Sequence, residues 1–274
     1  MSVEEKQYLD QSRDQRFRLH HYGPDVFLIQ DLSMLSRLTK ASTSSCDQPI
    51  MNQIIKSLYR DMMNVVAQQC FETQIQSVPT RMSEKHPEHA VFHGELLHPE
   101  QKVVICGMAR AGTLPSMEIF EQLSLTLNSK YVRADHIAMN RVTNAQEKVE
   151  DALIHGHKIG GPIENAWVLL PDPMGATGSS ICNVIDLYKK SVDGRAKAYI
   201  SINLIITPEF IAQVHRKHPG TKIFALRLDR GFSSERALQS IPGSYPEEEK
   251  GLNEIDYIVP GAGGLGELMN NSWT

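Results

Sequence analysis

An acid, two glycines and several hydroxyls follow an apolar run in the stretch 167–183, WVLLPDPMGATGSSICN. Asp172 ends the apolar run, and glycines at 175 and 178 let the backbone turn before two serines. Backbone N–H groups at the start of a helix bind phosphate well, because the helix dipole is positive there. An acid beside residues 176–180 therefore suits a sugar phosphate, with the carboxylate on the ribose hydroxyls. The alternative is a small-residue turn whose serine caps a helix.

A second loop that could do chemistry is GMARAGTLP, residues 107–115. Arg110 lies between two alanines and two flanking glycines, where its guanidinium is placed to meet an anion. The same loop also fits an ordinary turn between a strand and a helix, with a surface arginine. From this loop alone, the ordinary turn is the favoured interpretation.

The elements that must position both loops alternate between strand and helix. Strands are predicted at 102–107, 166–170, 198–206 and 222–228, and helices at 50–70, 113–123, 179–190 and 208–217. The strands are apolar on both faces, which predicts an α/β fold with a mostly parallel sheet flanked by helices. Ligands of such sheets bind beyond the carboxyl ends of the strands, where both loops fall.

Composition sets broad limits on the class of protein. The chain has 274 residues, 41% of them hydrophobic, and a net charge of −4, which argues against a general nucleic-acid binder. No run approaches the ~18 apolar residues of a membrane span, and the start MSVEEKQYLD lacks a secretory signal pattern. The scattered cysteines predict buried small side chains and favour a reducing, cytoplasmic location. They are Cys46, Cys70, Cys106 and Cys182.

Three motifs in one order resemble a known family. LLPDPMGATGSS resembles the phosphoribosyl pyrophosphate (PRPP) loop of type I phosphoribosyltransferases, in the uracil phosphoribosyltransferase form D-P-M-x-A-T-G-x-S. Most of that superfamily has two consecutive acids here, and the uracil enzymes replace the second by proline, as in Asp172-Pro173. RAG at 110–112 is similar to the family's I-L-R-A-G, whose arginine contacts PRPP. GLNEIDYIVPGAGGLGE at 251–267 resembles G-L-N-E-x-G-Y-I-x-P-G-x-G-D-A-G-D, which reads uracil largely through backbone groups.

The resemblance covers roughly residues 25 to 270 and implies site residues. Asp172 and Arg110 are the implied catalytic residues, and AMNR at 138–141, a weaker match to M-Y-R-x-E-E-T, adds Arg141 as a diphosphate ligand. The implied PRPP site comprises Arg110, Arg141, Asp172, Pro173, Met174, Gly175, Ala176, Thr177, Gly178, Ser179 and Ser180. The implied uracil site comprises Ile258, Gly263, Gly264 and Leu265.

The implied reaction converts uracil and PRPP into UMP and diphosphate. Mg²⁺ would arrive bound to the diphosphate oxygens rather than in a metal site of the protein. The transition state should resemble an oxocarbenium ion, so catalysis would rest on placement and charge stabilisation. The resemblance also implies a homodimer or higher homo-oligomer, GTP as a candidate effector, and a single domain over 1–274 with a smaller C-terminal hood or β-arm.

One departure from the family pattern concerns the base-facing loop. Gly264 stands where the family has an aspartate near PRPP and the metal, and Glu267 stands where it has a second acid. Either another acid replaces the missing one or activity is impaired. Two alternatives to the uracil enzyme therefore stay open. One is a phosphoribosyltransferase for another base, and the other is a PRPP- or nucleotide-binding regulator without catalysis.

Other departures lie outside the motifs. Residues 229–250 form a polar insertion, expected as a surface excursion or as a lid or subunit contact beside the pyrimidine loop. Residues 1–24 form a polar extension that is mobile or lies over a partner. His155 and His157 have the spacing of a metal pair, but without a third ligand pattern a loop is the favoured interpretation.

Overall fold

The computed structural model describes residues 5–8, 15–143 and 149–272. The strands are β1 Val26–Leu28, β2 Thr73–Pro79, β3 Val91–Leu97, β4 Val103–Ala109, β5 Val132–Thr143, β6 Val149–Lys158, β7 Trp167–Pro171, β8 Met174–Gly175, β9 Ala198–Ile206 and β10 Lys222–Leu228. The α-helices are α1 Leu32–Ala41, α2 Ile50–Cys70, α3 Thr113–Thr126, α4 Ser179–Ser191, α5 Pro208–Lys217, α6 Glu235–Leu238 and α7 Leu265–Asn270. Short 3₁₀ turns lie at Lys6–Tyr8, Arg81–Glu84, Ser129–Tyr131 and Pro246–Glu248.

The central sheet has the order β1-β10-β9-β7-β4-β5-β6, and β8 adds to β9. Every pair in it is parallel except β5 with β6. The predicted α/β fold with a mostly parallel sheet is therefore confirmed. Strands 198–206 and 222–228 and helix 50–70 have the predicted bounds. These segments were predictable because burial on both faces or on one helical stripe leaves a continuous apolar pattern.

Two apolar cores lie on opposite faces of this sheet. Ile105 and Leu169 point towards α2 and α3, whereas their neighbours Val104 and Val168 point towards α4 and α5. This alternation follows from the two-residue period of a strand. Tyr59 of α2 is fully buried in the first core, so the carboxyl ends of the strands rest on rigid packing.

The predicted hood or β-arm has a different position from the one expected. The antiparallel arm is the β2–β3 hairpin at 73–97, ahead of β4 and not at the C-terminal end. The C-terminal stretch instead forms a loop with one bridge, Leu252 to Ile258, followed by α7. Proline and closely spaced glycines at 260–264 prevent a longer ladder there.

The stretch containing His155 and His157 is a strand, so the expectation of a loop is wrong. Both residues lie on β6, the edge strand that pairs with β5, and both are exposed. Polar residues on both of its faces hid this strand, since an exposed edge needs no apolar period. Of the four cysteines, three are buried as expected, and Cys70 is partly exposed.

The insertion and the N-terminal extension pack against each other and against the sheet. Arg230 is fully buried and pairs with Glu249, 3.0 Å away, and with Glu5, 2.7 Å away. The Tyr8 hydroxyl donates to the Leu228 carbonyl at 2.8 Å. The described part of the extension therefore lies on its own chain, at the end of β10. None of the helices in the described ranges has the length and apolar character needed to cross a lipid bilayer.

Candidate active site at the carboxyl ends of the strands

Hydrogen bonds from β9 and from the N-cap residue of α5 hold the loop after β7 in place. The Asp172 carbonyl accepts a hydrogen bond from the Asn203 amide at 2.7 Å, and the Asp172 carboxylate accepts one from Met174 N at 3.3 Å. The Thr207 hydroxyl donates to the Ala176 carbonyl at 2.7 Å while it accepts from Phe210 N at 3.0 Å. Because Thr207 also caps α5, the loop and that helix are held as one unit.

Gly178 turns the chain from this loop into α4. Its φ of +84° lies in the left-handed region, which favours glycine, and it precedes the first residue of the helix. Gly178 is the N-cap residue of α4, and it has no side chain that could cap the helix. The Thr177 hydroxyl accepts from Ser179 N at 3.4 Å and donates to the Ser179 hydroxyl at 3.2 Å. The N-terminus of α4 thus presents backbone N–H groups and hydroxyls together, which suits an anion.

Arg110 directly follows β4, the strand that pairs with β7 in the sheet. Its guanidinium donates to the Ser272 hydroxyl at 2.7 Å and to the Ser272 carbonyl at 3.2 Å. Arg110 Nη2 lies 3.6 Å from Glu267 Oε1 of α7. The peptide bond between Ala109 and Arg110 is cis. The arginine is therefore a half-buried group placed by two polar partners, and not a solvated surface side chain.

The third part of the site is the loop before α7. The Asn253 side chain accepts from Tyr257 N at 2.8 Å and from Ile255 N at 3.1 Å, which closes a tight turn. Ile258 is 8% exposed and packs into the core, so it anchors the loop. Between Ile258 and α7 the chain reads Val-Pro-Gly-Ala-Gly-Gly, in which Gly261 and Ala262 are buried and Gly263 and Gly264 line the cleft described below.

One cleft of about 740 Å³ brings the three parts together. Predicted site residues that line it are Arg110, Asp172, Met174, Ala176, Ser180, Ile258, Gly263, Gly264 and Leu265. A smaller pocket beside it is lined by Gly175, Thr177, Gly178 and Ser179, and it shares Asp172, Met174, Ala176, Ser180 and Asp256 with the cleft. Pro173 lines neither pocket. Arg141 lies on β5, and its side chain is outside the described part of the structure, so its role stays a prediction.

The cleft also contains residues that the sequence analysis did not assign to it. They are Met108, Ala109, Ala111, Gly112, Ala138, Met139, Asp256, Tyr257, Gly266 and Glu267. Asp256 lines both pockets and has a φ of +64°, which is uncommon for a residue with a side chain. It stands where the motif quoted above has glycine, and that mismatch was the available signal. Ala138 and Met139 belong to the AMNR match at 138–141, from which only Arg141 was assigned to the site.

Charge in the cleft is unevenly distributed. Among the described residues that line it, Asp172, Asp256 and Glu267 are acidic and Arg110 is the only basic one. Beneath it, burial raises the pKa of the Tyr59 phenol well above its usual value, and the charge of Asp172 raises it further. Tyr59 therefore stays protonated and donates to the Ile202 carbonyl at 3.2 Å, below the loop.

The chain is similar in structure to several solved proteins. The solved structure of the AQ2163 protein from Aquifex aeolicus matches with a TM-score of 0.65 and 16% identity, over 89% of this chain and 97% of that one, which shows a shared fold. A purine phosphoribosyltransferase from Pyrococcus horikoshii Ot3 matches with a TM-score of 0.34 and 18% identity, over 47% of this chain and 72% of that one. A hypoxanthine phosphoribosyltransferase from Trypanosoma cruzi, in complex with IMP, matches with a TM-score of 0.36 and 12% identity, over 65% and 73%.

The sequence profile of uracil phosphoribosyltransferases matches residues 34–244. That range includes Arg110 and the loop after β7, and it ends before the loop at 251–264. The fold, the cleft and this match define the protein as a phosphoribosyltransferase, a glycosyl-transferring enzyme class that uses PRPP and a nucleobase. More particularly, the chain belongs to the uracil phosphoribosyltransferase family.

Proposed function

We propose that this protein transfers the phosphoribosyl group of PRPP to uracil, giving UMP and diphosphate. The observation that carries the proposal is the cleft in which Arg110 and residues of the loop after β7 meet Ile258 and residues 263–265 of the base-facing loop. PRPP and uracil together need three adjoining subsites, one for a phosphate group, one for the ribose hydroxyls and one for a small planar base. The proline of Asp172-Pro173 is the residue that favours uracil among the possible bases.

Each part of the cleft has a proposed role. The N-terminus of α4, from Ala176 to Ser180, holds the 5′-phosphate, and the Asp172 carboxylate accepts hydrogen bonds from the ribose hydroxyls. Asp172 also stabilises positive charge that develops on the sugar as the bond to diphosphate breaks. Arg110, together with Arg141, neutralises the leaving diphosphate, and the backbone at 258 and 263–265 binds the edge of the base.

Mg²⁺ fits this site by the chemistry of its donors. The diphosphate oxygens of PRPP would bind most of the ion, because Mg²⁺ prefers phosphate partners and the described residues contain no group of three or more Asp, Glu, His or Cys side chains placed to hold a metal. Bound with the diphosphate, the ion supplies positive charge for the leaving group. Homo-oligomer formation, regulation by GTP and a cytoplasmic location stay predictions of the family resemblance.

A base panel tests the proposal. The full-length protein is incubated with PRPP, Mg²⁺ and one of uracil, cytosine, hypoxanthine, guanine or adenine, and diphosphate release is measured. We expect uracil to have the highest kcat/KM by at least about tenfold, since the base edges differ in hydrogen-bond donors and acceptors. A preference for another base overturns the assignment of uracil and keeps the enzyme class.

The second candidate function is a PRPP- or nucleotide-binding regulator. It is favoured by Gly264, because the aspartate of the family motif is absent from the base-facing loop. Calorimetric titration with PRPP, run beside the base panel, separates the two functions. Binding of PRPP without turnover of any base supports the regulator, whereas turnover excludes it.

A further inference from the structure

Arg227 and Asp229, at the carboxyl end of β10, hold the backbone of Gly261 from both sides. The Asp229 carboxylate accepts a hydrogen bond from Gly261 N at 2.7 Å, and Arg227 Nη2 donates to the Gly261 carbonyl at 2.7 Å. The two side chains also form a bidentate pair, with distances of 2.6 and 2.7 Å. Asp229 is 1% exposed, so these bonds lie away from competing water.

Gly261 is the point where the base-facing loop turns. Its φ is +62°, and a side chain there would collide with the carbonyl oxygen of Ile258. Ile258 lies three residues before it and Gly263 two residues after it, and both line the cleft. A shift at Gly261 is therefore transmitted to the backbone groups that face the base.

Other hydrogen bonds hold the remainder of this loop. The Glu209 carboxylate accepts from Gly251 N at 3.1 Å, and Gly231 N donates to the Val259 carbonyl at 2.9 Å. These bonds fix the beginning and middle of the loop. Gly261 itself is bonded to the Arg227–Asp229 pair, and of its two neighbours Pro260 is exposed and Ala262 adds only one methyl group to the core.

We propose that Arg227 and Asp229 are positioning residues for recognition of the base, acting through Gly261. The inference rests on the proposed function, because it needs a base that is bound by the backbone at 258 and 263–265. Charge-assisted bonds to a peptide group are stronger than neutral ones, so the pair can hold a glycine-rich segment in one geometry. The pair does not line the cleft, and it does not touch the reacting atoms.

The chain contains a matched pair elsewhere. Arg133 and Asp135 on β5 repeat the Arg-x-Asp spacing and form a bidentate pair with distances of 2.9 and 3.1 Å. Asp135 accepts from Gly160 N at 2.9 Å, and Arg133 donates to the Gly161 carbonyl at 3.0 Å. Neither glycine is among the described residues that line the cleft. This pair controls for the loss of a buried ion pair as such.

The test compares Arg227→Lys with Arg133→Lys in the full-length protein. Lysine keeps the charge and loses the forked geometry that bonds Asp229 and Gly261 together. We expect Arg227→Lys to raise the KM for the base by about tenfold, with the KM for PRPP changed by less than about twofold. Arg133→Lys should leave both values near wild type. An unchanged KM for the base, or an equal rise in both KM values, overturns the proposal.

A second measurement does not depend on turnover. Hydrogen–deuterium exchange of the ligand-free protein should show faster exchange in peptides covering 257–265 for Arg227→Lys and for Asp229→Asn, and no change there for Arg133→Lys. If the wild-type protein turns over no base, the proposed function fails. Exchange and the calorimetric Kd for UMP then decide the inference by themselves. Unchanged exchange in 257–265, or an unchanged Kd, overturns it.

Discussion

The carboxylate of Glu267 occupies the space that a side chain on Gly264 would need. A β-carbon built on Gly264 meets Glu267 Oε2, and the same carboxyl group lies beside Arg110. Glu267 stands at the position of the motif's second acid, and its carboxylate lies where the side chain of the missing acid at 264 would begin. The family motif has acids at both positions, so an aspartate at 264 would have to displace only the flexible end of Glu267.

A single and a double variant test whether Glu267 takes the role of the missing acid at 264. Glu267→Ala should lower kcat/KM for PRPP by about tenfold, because Arg110 and the metal-bearing diphosphate lose a charged neighbour. The double variant Gly264→Asp with Glu267→Ala should recover most of that loss, since the φ of Gly264, −78°, is open to any residue. Steady-state kinetics of the three proteins gives the answer. A double variant no better than Glu267→Ala contradicts a shared role.

Asp172 should be needed for turnover and not for folding. Asp172→Asn keeps the shape of the side chain and removes the charge that stabilises the sugar, so we expect kcat to fall by about 100-fold. Thermal unfolding should stay close to wild type, because the Asn203 bond goes to the backbone of residue 172 and is retained. Asp193→Asn, at an exposed position after α4, is the control. Near-normal kcat for Asp172→Asn would remove this residue from the mechanism.

Strands buried on both faces were predictable from the sequence, and exposed strands were not. The apolar runs of β7, β9 and β10 gave their positions and the parallel sheet, as did the stripe on α2. The hairpin β2–β3 carries mostly exposed side chains and needs no apolar period. β1, with three residues, is too short for any periodic pattern.

The candidate site shows a similar division. Asp172 and the loop to Ser180 could be predicted from local chemistry, since a strand end and a helix N-terminus determine it, whereas only the family resemblance assigned Arg110 to the site. The partners of Arg110 could not be predicted, because Ser272 and Glu267 meet it only through the tertiary fold. The Arg227–Asp229 pair leaves only an Arg-x-Asp spacing in the sequence. What that pair holds, Gly261, lies 32 residues beyond Asp229 and is known only from the structure.

Replacing Gly178 should lower both stability and PRPP binding. Replacing Gly220, which has a similar φ, should lower stability alone. Gly178→Ala and Gly220→Ala both place a side chain at positive φ, +84° and +82°, and each should cost about 1 kcal/mol in the free energy of unfolding. At Gly178 the new methyl group also approaches Val214 and the Phe210 carbonyl, but at Gly220 it meets open space. Only Gly178→Ala should raise the KM for PRPP. Equal KM values for PRPP in the two variants would show that the turn at Gly178 does not contribute to phosphate binding.

His20 predicts a loss of stability in acid. Its Nε2–H donates to the Val26 carbonyl at 3.0 Å, and its Nδ1 accepts from Tyr22 N at 3.3 Å, so the neutral ring satisfies both bonds. Burial lowers the pKa of His20 below its usual value, and His21 lowers it further, while the Val26 carbonyl acts in the opposite direction. Protonation would break the bond from Tyr22.

The sign of the effect follows from proton binding. Below about pH 6.5 the unfolded chain binds a proton at His20 that the folded protein does not bind, so the free energy of unfolding falls as the pH decreases. His20→Gln can still donate to Val26 and cannot be protonated, so it should lose less stability than wild type between about pH 7 and about pH 5.5. Denaturant unfolding at several pH values measures the difference, with His89→Gln, at an exposed position, as the control. Parallel pH curves for wild type and His20→Gln would show that His20 does not contribute.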